Sequence, residues 1–196
     1  MSESIEKIDT FVLFGILGDL SIRKLIPAWY YLERDGKLSD SLKILGVGRR
    51  LVSDDELRDK VKESLKSHVS EEYIDNEIVS RLIKRFFYCA CDLSKDEDYF
   101  NLNEKIQDWS MPAAFYLAIS PSLFESVCDG LNSAKLISPS SRIIVEKPVG
   151  YNLESSQEIN EKLTKHFDES QIYRIDHYLG KAVSYTHLTL PTTERV

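Results

Sequence analysis

A chain of 196 residues with 42% hydrophobic side chains can bury one core of ordinary size, which allows one domain and at most part of a second. A formal net charge of −7 argues against nucleic acid as a partner, since affinity for a phosphate backbone comes from dense Lys and Arg. No run of about 18 apolar residues offers a membrane span, and Glu3, Glu6 and Asp9 stand where a secretory leader would be basic, so a soluble, cytoplasmic protein with no membrane partner is expected.

In chain order, Phe11 to Phe14 is a short apolar run ending at Gly15, the pattern of a buried strand delivered into a turn. Residues 21–35 place Leu25, Ala28, Trp29 and Leu32 at helical spacing, with Asp35-Gly36 as a stop. Leu42 to Val47 reads as a second buried strand closed by Gly48. Two polar helices are predicted between Asp54 and Lys84, because Leu57, Val61 and Leu65, then Ile74, Ile78 and Leu82, recur in steps of four. Phe86 to Leu93 follows as a strand, and Asp96 to Trp109 as a helix with Phe100, Ile106 and Trp109 on its apolar side. Ala113 to Ile119 is the next strand, and Pro121 to Ala134 a helix with proline at its first turn, where a missing N–H costs least. Ser138 to Ser141 is a loop; Arg142 to Glu146 is a strand; Leu153 to about Phe167 is a helix capped by Asn152; Ile172 to Ile175 is the last strand. Strands apolar on both faces, alternating with helices, predict an α/β, Rossmann-like doubly wound parallel sheet. Cys89, Cys91 and Cys128, an odd number without a second close pair, read as buried reduced thiols rather than metal ligands.

Two places along this pattern carry chemistry at the cofactor end. Gly15 and Gly18 fall at the first strand-to-helix turn, where missing side chains bring backbone N–H groups and a helix N-terminus close to a pyrophosphate. The full G-x-G-x-x-G is not present, and a lone GxxG equally fits a plain tight turn. The second strand ends in Gly46-Val47-Gly48-Arg49-Arg50, where a protein selective for NAD presents an acid to the ribose 2′-hydroxyl. A guanidinium there matches a phosphate bidentately, which favours NADP; a solvated basic pair is the competing reading.

The stretch FGILGDLSIRKLIPAWYYL resembles the N-terminal signature of glucose-6-phosphate dehydrogenases of the bacterial type. That signature runs Gly-x-x-Gly-Asp-Leu, then Arg-Lys-Leu and a proline, and is met by Gly15, Gly18, Asp19, Leu20, Arg23, Lys24, Leu25 and Pro27. Many members carry a small residue and then Ser or Thr between the glycines, whereas this chain has Ile16 and Leu17, and Ser21 cannot be assumed to supply the missing hydroxyl. The resemblance extends from residue 10 to 181. It implies that Gly15, Gly18, Asp19 and Leu20 contact the cofactor, that Arg49 meets the 2′-phosphate, and that Asp92 and Leu93 line the adenine side. Tyr116-Leu117-Ala118 would end beside the nicotinamide half.

At the substrate end, Glu146-Lys147-Pro148 follows a strand and RIDHYLGK, Arg174 to Lys181, follows another. Alone, the first fits a shaped strand exit and the second an ordinary polar strand-to-helix boundary. The resemblance implies more: Lys147 near both substrate and cofactor, His177 and Lys181 as phosphate ligands of glucose 6-phosphate, and Tyr178 as a supporting donor. Asp176 resembles the carboxylate that orients a catalytic histidine as it takes the proton from the sugar's C1 hydroxyl. The implied reaction is oxidation of glucose 6-phosphate to the lactone with reduction of NADP, the first step of the pentose phosphate pathway, in a full-length protein that is a homo-oligomer. No histidine here corresponds to the base, since His68 and His166 fall on polar stretches and read as solvated, and His187 sits in a segment that departs from the family pattern.

After Lys181 the chain departs from the family pattern. Val183 to Thr192, VSYTHLTLPT, resembles a translated transposase sequencing adapter, the alternative being a divergent tail. The expected organisation is therefore a dinucleotide-binding domain over 1–176, the start of a truncated α+β substrate domain over 177–182, and a non-native tail over 183–196. Such a piece would be inactive by itself. The competing reading is a non-catalytic NADP-binding module.

Overall fold

The computed structural model describes residues 8–146 and 153–175, the first three of the second span by backbone alone. Its six strands, β1 (Thr10–Phe14), β2 (Lys43–Gly48), β3 (Phe86–Ala90), β4 (Ala113–Leu117), β5 (Arg142–Glu146) and β6 (Ile172–Ile175), form one sheet in the order β3-β2-β1-β4-β5-β6. Every neighbouring pair is parallel, with Phe14 level with Val47 on one side and Leu117 on the other. The order reverses between β1 and β4, so the loops leaving these two strands diverge and leave a crevice at the carboxyl edge.

The apolar strands are buried on both sides because side chains alternate. Val12, Phe14, Leu45, Val47, Phe115 and Leu117 face one core, closed by α4 (Asp96–Ile106), α5 (Phe124–Ser133) and α6 (Leu153–Thr164). Leu13, Ile44, Phe86, Tyr88 and Tyr116 face the other, closed by α1 (Ile26–Arg34), α2 (Asp54–His68) and α3 (Asn76–Ile83). Each strand-and-helix prediction finds its element, but β3 and β4 stop at Ala90 and Leu117, short of the predicted Leu93 and Ile119. The residues released from the ladder there go to the crevice. Among the described residues no helix is long and apolar enough to cross a membrane.

Two helices bury a different stripe from the one expected. In α1 the buried residues are Ile26, Pro27, Trp29, Tyr30 and Glu33, a stripe one position along from the predicted Leu25, Ala28, Trp29 and Leu32, and Leu32 is 37% exposed. A π-helical turn, Ser21–Leu25, precedes α1 and shifts its helical phase. Polar ends decide the rest. Tyr30 donates its hydroxyl to the Tyr73 carbonyl (2.6 Å) and accepts from the Asp75 amide (2.7 Å). Glu33, only 5% exposed, pairs with Arg81 (3.1 Å) and Arg85 (2.9 Å), so its charge is compensated where it is buried.

In α4, Tyr99, Leu102 and Ile106 face the core while the predicted Phe100 is 51% exposed. The Tyr99 ring fills the space that Gly130 leaves open on α5, a fit that Phe100, a neighbouring position round the helix, cannot reach. Of Ile74, Ile78 and Leu82 only Leu82 is fully buried. His166 is not solvated: its ring is largely covered, with Nε2 2.5 Å from Asp129, which also holds Lys165 at 2.9 Å. His68 is exposed as expected. Asn152, the expected cap of α6, lies outside the described residues.

Candidate functional site

Gly15 closes β1 with φ +85°, a conformation that side chains disfavour. Its amide donates to the Val47 carbonyl (2.9 Å), and a Cβ on it would overlap the Ala118 carbonyl oxygen, so β2 and β4 grip the turn from both sides. The Gly15 carbonyl in turn accepts from the Gly18 amide and from the Ser21 hydroxyl, both at 2.9 Å. These two glycines therefore act through the side chains they lack, their own N–H groups being spent on the turn. Among the described residues the amides of Ile16 and Leu17 donate to no acceptor, and they are the donors an anion at this turn would meet.

The departure at Ile16 and Leu17 has a structural answer. Ile16 is fully buried against Gly46 of β2, where an added Cβ would lie 2.8 Å from its side chain. Leu17 packs partly against the core on the α1 side. Ser21 is buried and committed to Gly15, and so supplies no hydroxyl in place of the one absent at position 17.

Beyond this turn lies a cleft of about 420 Å³. Gly15, Gly48, Arg49, Asp92 and Leu93 line it together with Ile119, so four residues expected at the cofactor meet there from the ends of three strands. Gly18, Asp19 and Leu20 do not line it; Asp19 is exposed and 3.6 Å from Arg23 one turn along. Ser94, Ser120 and Leu123 also line the cleft, beyond the residues expected there. The strand-terminal Ser120-Pro121 is their only signal in the sequence.

Arg49 stands exposed at the rim and makes no hydrogen bond or ion pair with a described residue. Its charge acts on Asp92, which lines the same cleft. The Asp92 carboxyl is held below the usual carboxylate range, first by hydrogen bonds from the Ser94 hydroxyl (2.8 Å) and amide (3.2 Å), with Lys95 and Arg49 adding their charges. Asp92 is thus ionised at neutral pH and accepts hydrogen bonds only. Burial pushes the thiol of Cys91, on the cleft wall, up to about 12, and those of Cys89 and Cys128 to about 11 and about 12. All three are free, buried and protonated, hence poor nucleophiles.

Nearer β5, the buried Tyr116 donates its hydroxyl to the Glu146 carboxylate, and burial, with that carboxylate, raises the Tyr116 pKa. The chain immediately after Glu146, with Lys147, lies outside the described residues. So do Asp176, His177, Tyr178 and Lys181, and the tail from Val183.

Residues 12–184 match the family model described as "Glucose-6-phosphate dehydrogenase, NAD binding domain". The glucose-6-phosphate 1-dehydrogenase of Mycolicibacterium smegmatis is 39% identical over 176 residues, covering 87% of this chain and 36% of that protein. The crystal structure of glucose-6-phosphate 1-dehydrogenase from Mycobacterium avium aligns with a TM-score of 0.80 at 36% identity, over 89% of this chain and 37% of that one. A glucose-6-phosphate dehydrogenase solved in complex with its substrate glucose-6-phosphate aligns with a TM-score of 0.82 at 36% identity, over 95% of this chain and 40% of that one. The chain spans little more than a third of the length of these relatives. An all-parallel sheet reversing between β1 and β4, a glycine turn at the reversal and a family match over most of the chain lead to one assignment: the chain belongs to the glucose-6-phosphate dehydrogenase family, through its nicotinamide-dinucleotide-binding domain.

Proposed function

We propose that this chain is the cofactor domain of an enzyme that oxidises glucose 6-phosphate to 6-phosphogluconolactone and reduces NADP. The observation that carries NADP rather than NAD is Arg49, an arginine without an ion-pair partner among the described residues, at the rim of the cleft where β2 ends. A planar guanidinium there recognises a 2′-phosphate, whereas the acid of an NAD site would repel it. The pyrophosphate lies against the free amides of Ile16 and Leu17, and the adenine side against Asp92 and Leu93.

Substrate enters the reading through the family and through the solved relative that holds glucose-6-phosphate as its substrate. Lys147, His177, Tyr178 and Lys181 are proposed to hold the sugar phosphate, and Asp176 to orient the catalytic base. Hydride leaves C1 for the nicotinamide while the C1 hydroxyl proton goes to the base. The full-length protein works as a homo-oligomer in the cytoplasm, a compartment where buried free thiols stay reduced.

Arg49→Glu in the full-length protein tests the reading. NADP should weaken by about a hundred-fold or more, the loss typical of removing a paired charge and leaving repulsion in its place, while NAD changes little. Equal losses for the two cofactors in calorimetric titration would contradict the 2′-phosphate role. Absence of lactone formation by the full-length protein would remove the enzymatic reading altogether.

A further inference from the structure

The turn that carries Arg49 has no regular ladder of its own, yet it is pinned at three points, all by β3 and the residue just after it. The Cys91 amide donates to the Gly48 carbonyl (2.9 Å), and the Tyr88 amide donates to Oδ1 of Asp54 at the start of α2 (2.7 Å). Between these ends the Tyr88 hydroxyl donates to the Arg50 carbonyl (2.7 Å). Tyr88 is 4% exposed, and its hydroxyl passes so close beneath Gly48 that a Cβ there would stand 2.9 Å from it. Glycine at position 48 is thus the condition for this tyrosine to reach the turn.

We propose that the Tyr88 hydroxyl is a positioning residue for cofactor choice: by holding the Arg50 carbonyl it fixes the backbone on which Arg49 points into the cleft, and so supports NADP over NAD. The inference rests on the 2′-phosphate reading of Arg49. An arginine side chain has many rotamers, and a directional contact with a phosphate gains from every backbone torsion already fixed behind it. Burial raises the Tyr88 pKa, against the nearby charge of Arg50, which lowers it, so the hydroxyl stays a donor throughout the physiological range. Selectivity follows because NAD lacks the phosphate that this arginine would grip.

Tyr88→Phe keeps the ring and deletes the single bond to Arg50. In the full-length protein, NADP should bind about 3- to 10-fold more weakly, the range set by one lost hydrogen bond, while NAD binding stays within about two-fold. Gly48→Ala, which pushes on the same hydroxyl, should lower the NADP-to-NAD preference in the same direction. In an Arg49→Ala background, Tyr88→Phe should cost NADP nothing further, since its effect passes through Arg49. Equal weakening of both cofactors by Tyr88→Phe, or a fully additive loss in the double variant, would overturn the proposal and leave the Arg49 reading intact. A single Arg49→Ala variant that loses no NADP preference would instead remove that reading, and this inference with it.

Discussion

The turns after β1 and β2 end side by side at one edge of the sheet, yet they are held by opposite means. At Gly15 the chain needs side chains to be absent: φ is positive, and neighbouring strands close in until a Cβ has no room. At Arg49 and Arg50 it needs one to be present, the Tyr88 hydroxyl that reaches across from β3. In the proposed reading the first turn serves a group every dinucleotide has, and the second a group that only some have. General affinity and selectivity would then rest on separate supports, each of which can be broken alone.

The largest effect is expected at the first turn. Gly15→Ala combines a left-handed residue with an overlap against a backbone carbonyl, and should destabilise by about 2–5 kcal/mol. Any folded fraction should lose NADP and NAD alike, as read by thermal unfolding and cofactor titration. Selective loss of NADP would show that the two supports are not separate. Gly46→Ala comes next, at about 1–3 kcal/mol, because its Cβ would lie 2.8 Å from Ile16. Ile16→Ala removes the two γ carbons nearest that Cβ, so the double variant should lose less than the sum of the two single losses, a coupling that unfolding of the single and double variants measures directly.

How far this edge is legible in the sequence differs in the same way. The strands declare themselves as apolar runs, and Gly15 and Arg49 by their place at the ends of two of them. The stripe on α1 falls one position away from the expected one because Tyr30 and Glu33 look polar, and only their partners, Tyr73, Asp75, Arg81 and Arg85, distant in sequence, make them core residues. Tyr88 is hidden for the same reason. It sits in an ordinary strand, opposite Gly46 in the ladder, and its use depends on its ring reaching past that partner to Gly48 and the Arg50 carbonyl, which is a fact of register rather than of spacing. Ser120 and Leu123 reach the cleft only because β4 lies next to β1, which the topology decides.

A smaller effect tests how the second turn is shared between its anchors. Ser53 caps α2 just beyond it, accepting from the Glu56 amide (3.2 Å) while Glu56 accepts from the Ser53 amide (2.7 Å). Such an S-x-x-E box is a local signal, although the apolar steps of four that predict the helix do not include it. Ser53→Ala should cost about 1 kcal/mol of stability. The NADP-to-NAD ratio should hold, because Tyr88 secures the turn nearer to Arg49. A collapse of that ratio in cofactor titration would move the support of Arg49 from β3 to the helix cap.

The smallest effect is a pH dependence at the same cap. Hydrogen bonds from Ser53, the backbone amide first, lower the Glu56 pKa from its ordinary 4.5. A carboxyl whose folded pKa lies below its unfolded one binds more protons when unfolded, so its contribution is complete above the unfolded value. It fades as pH falls through the depressed folded value. Stability curves of the protein and of Glu56→Gln should therefore run apart near neutrality and converge in acid, with the gap closing below about pH 4.5. Because Glu56 lies at the surface the gap should also narrow with added salt. Parallel curves across the acid range would mean that the side-chain oxygen of glutamine accepts from the Ser53 amide as well as the carboxylate does, and that the charge of Glu56 adds nothing at this cap.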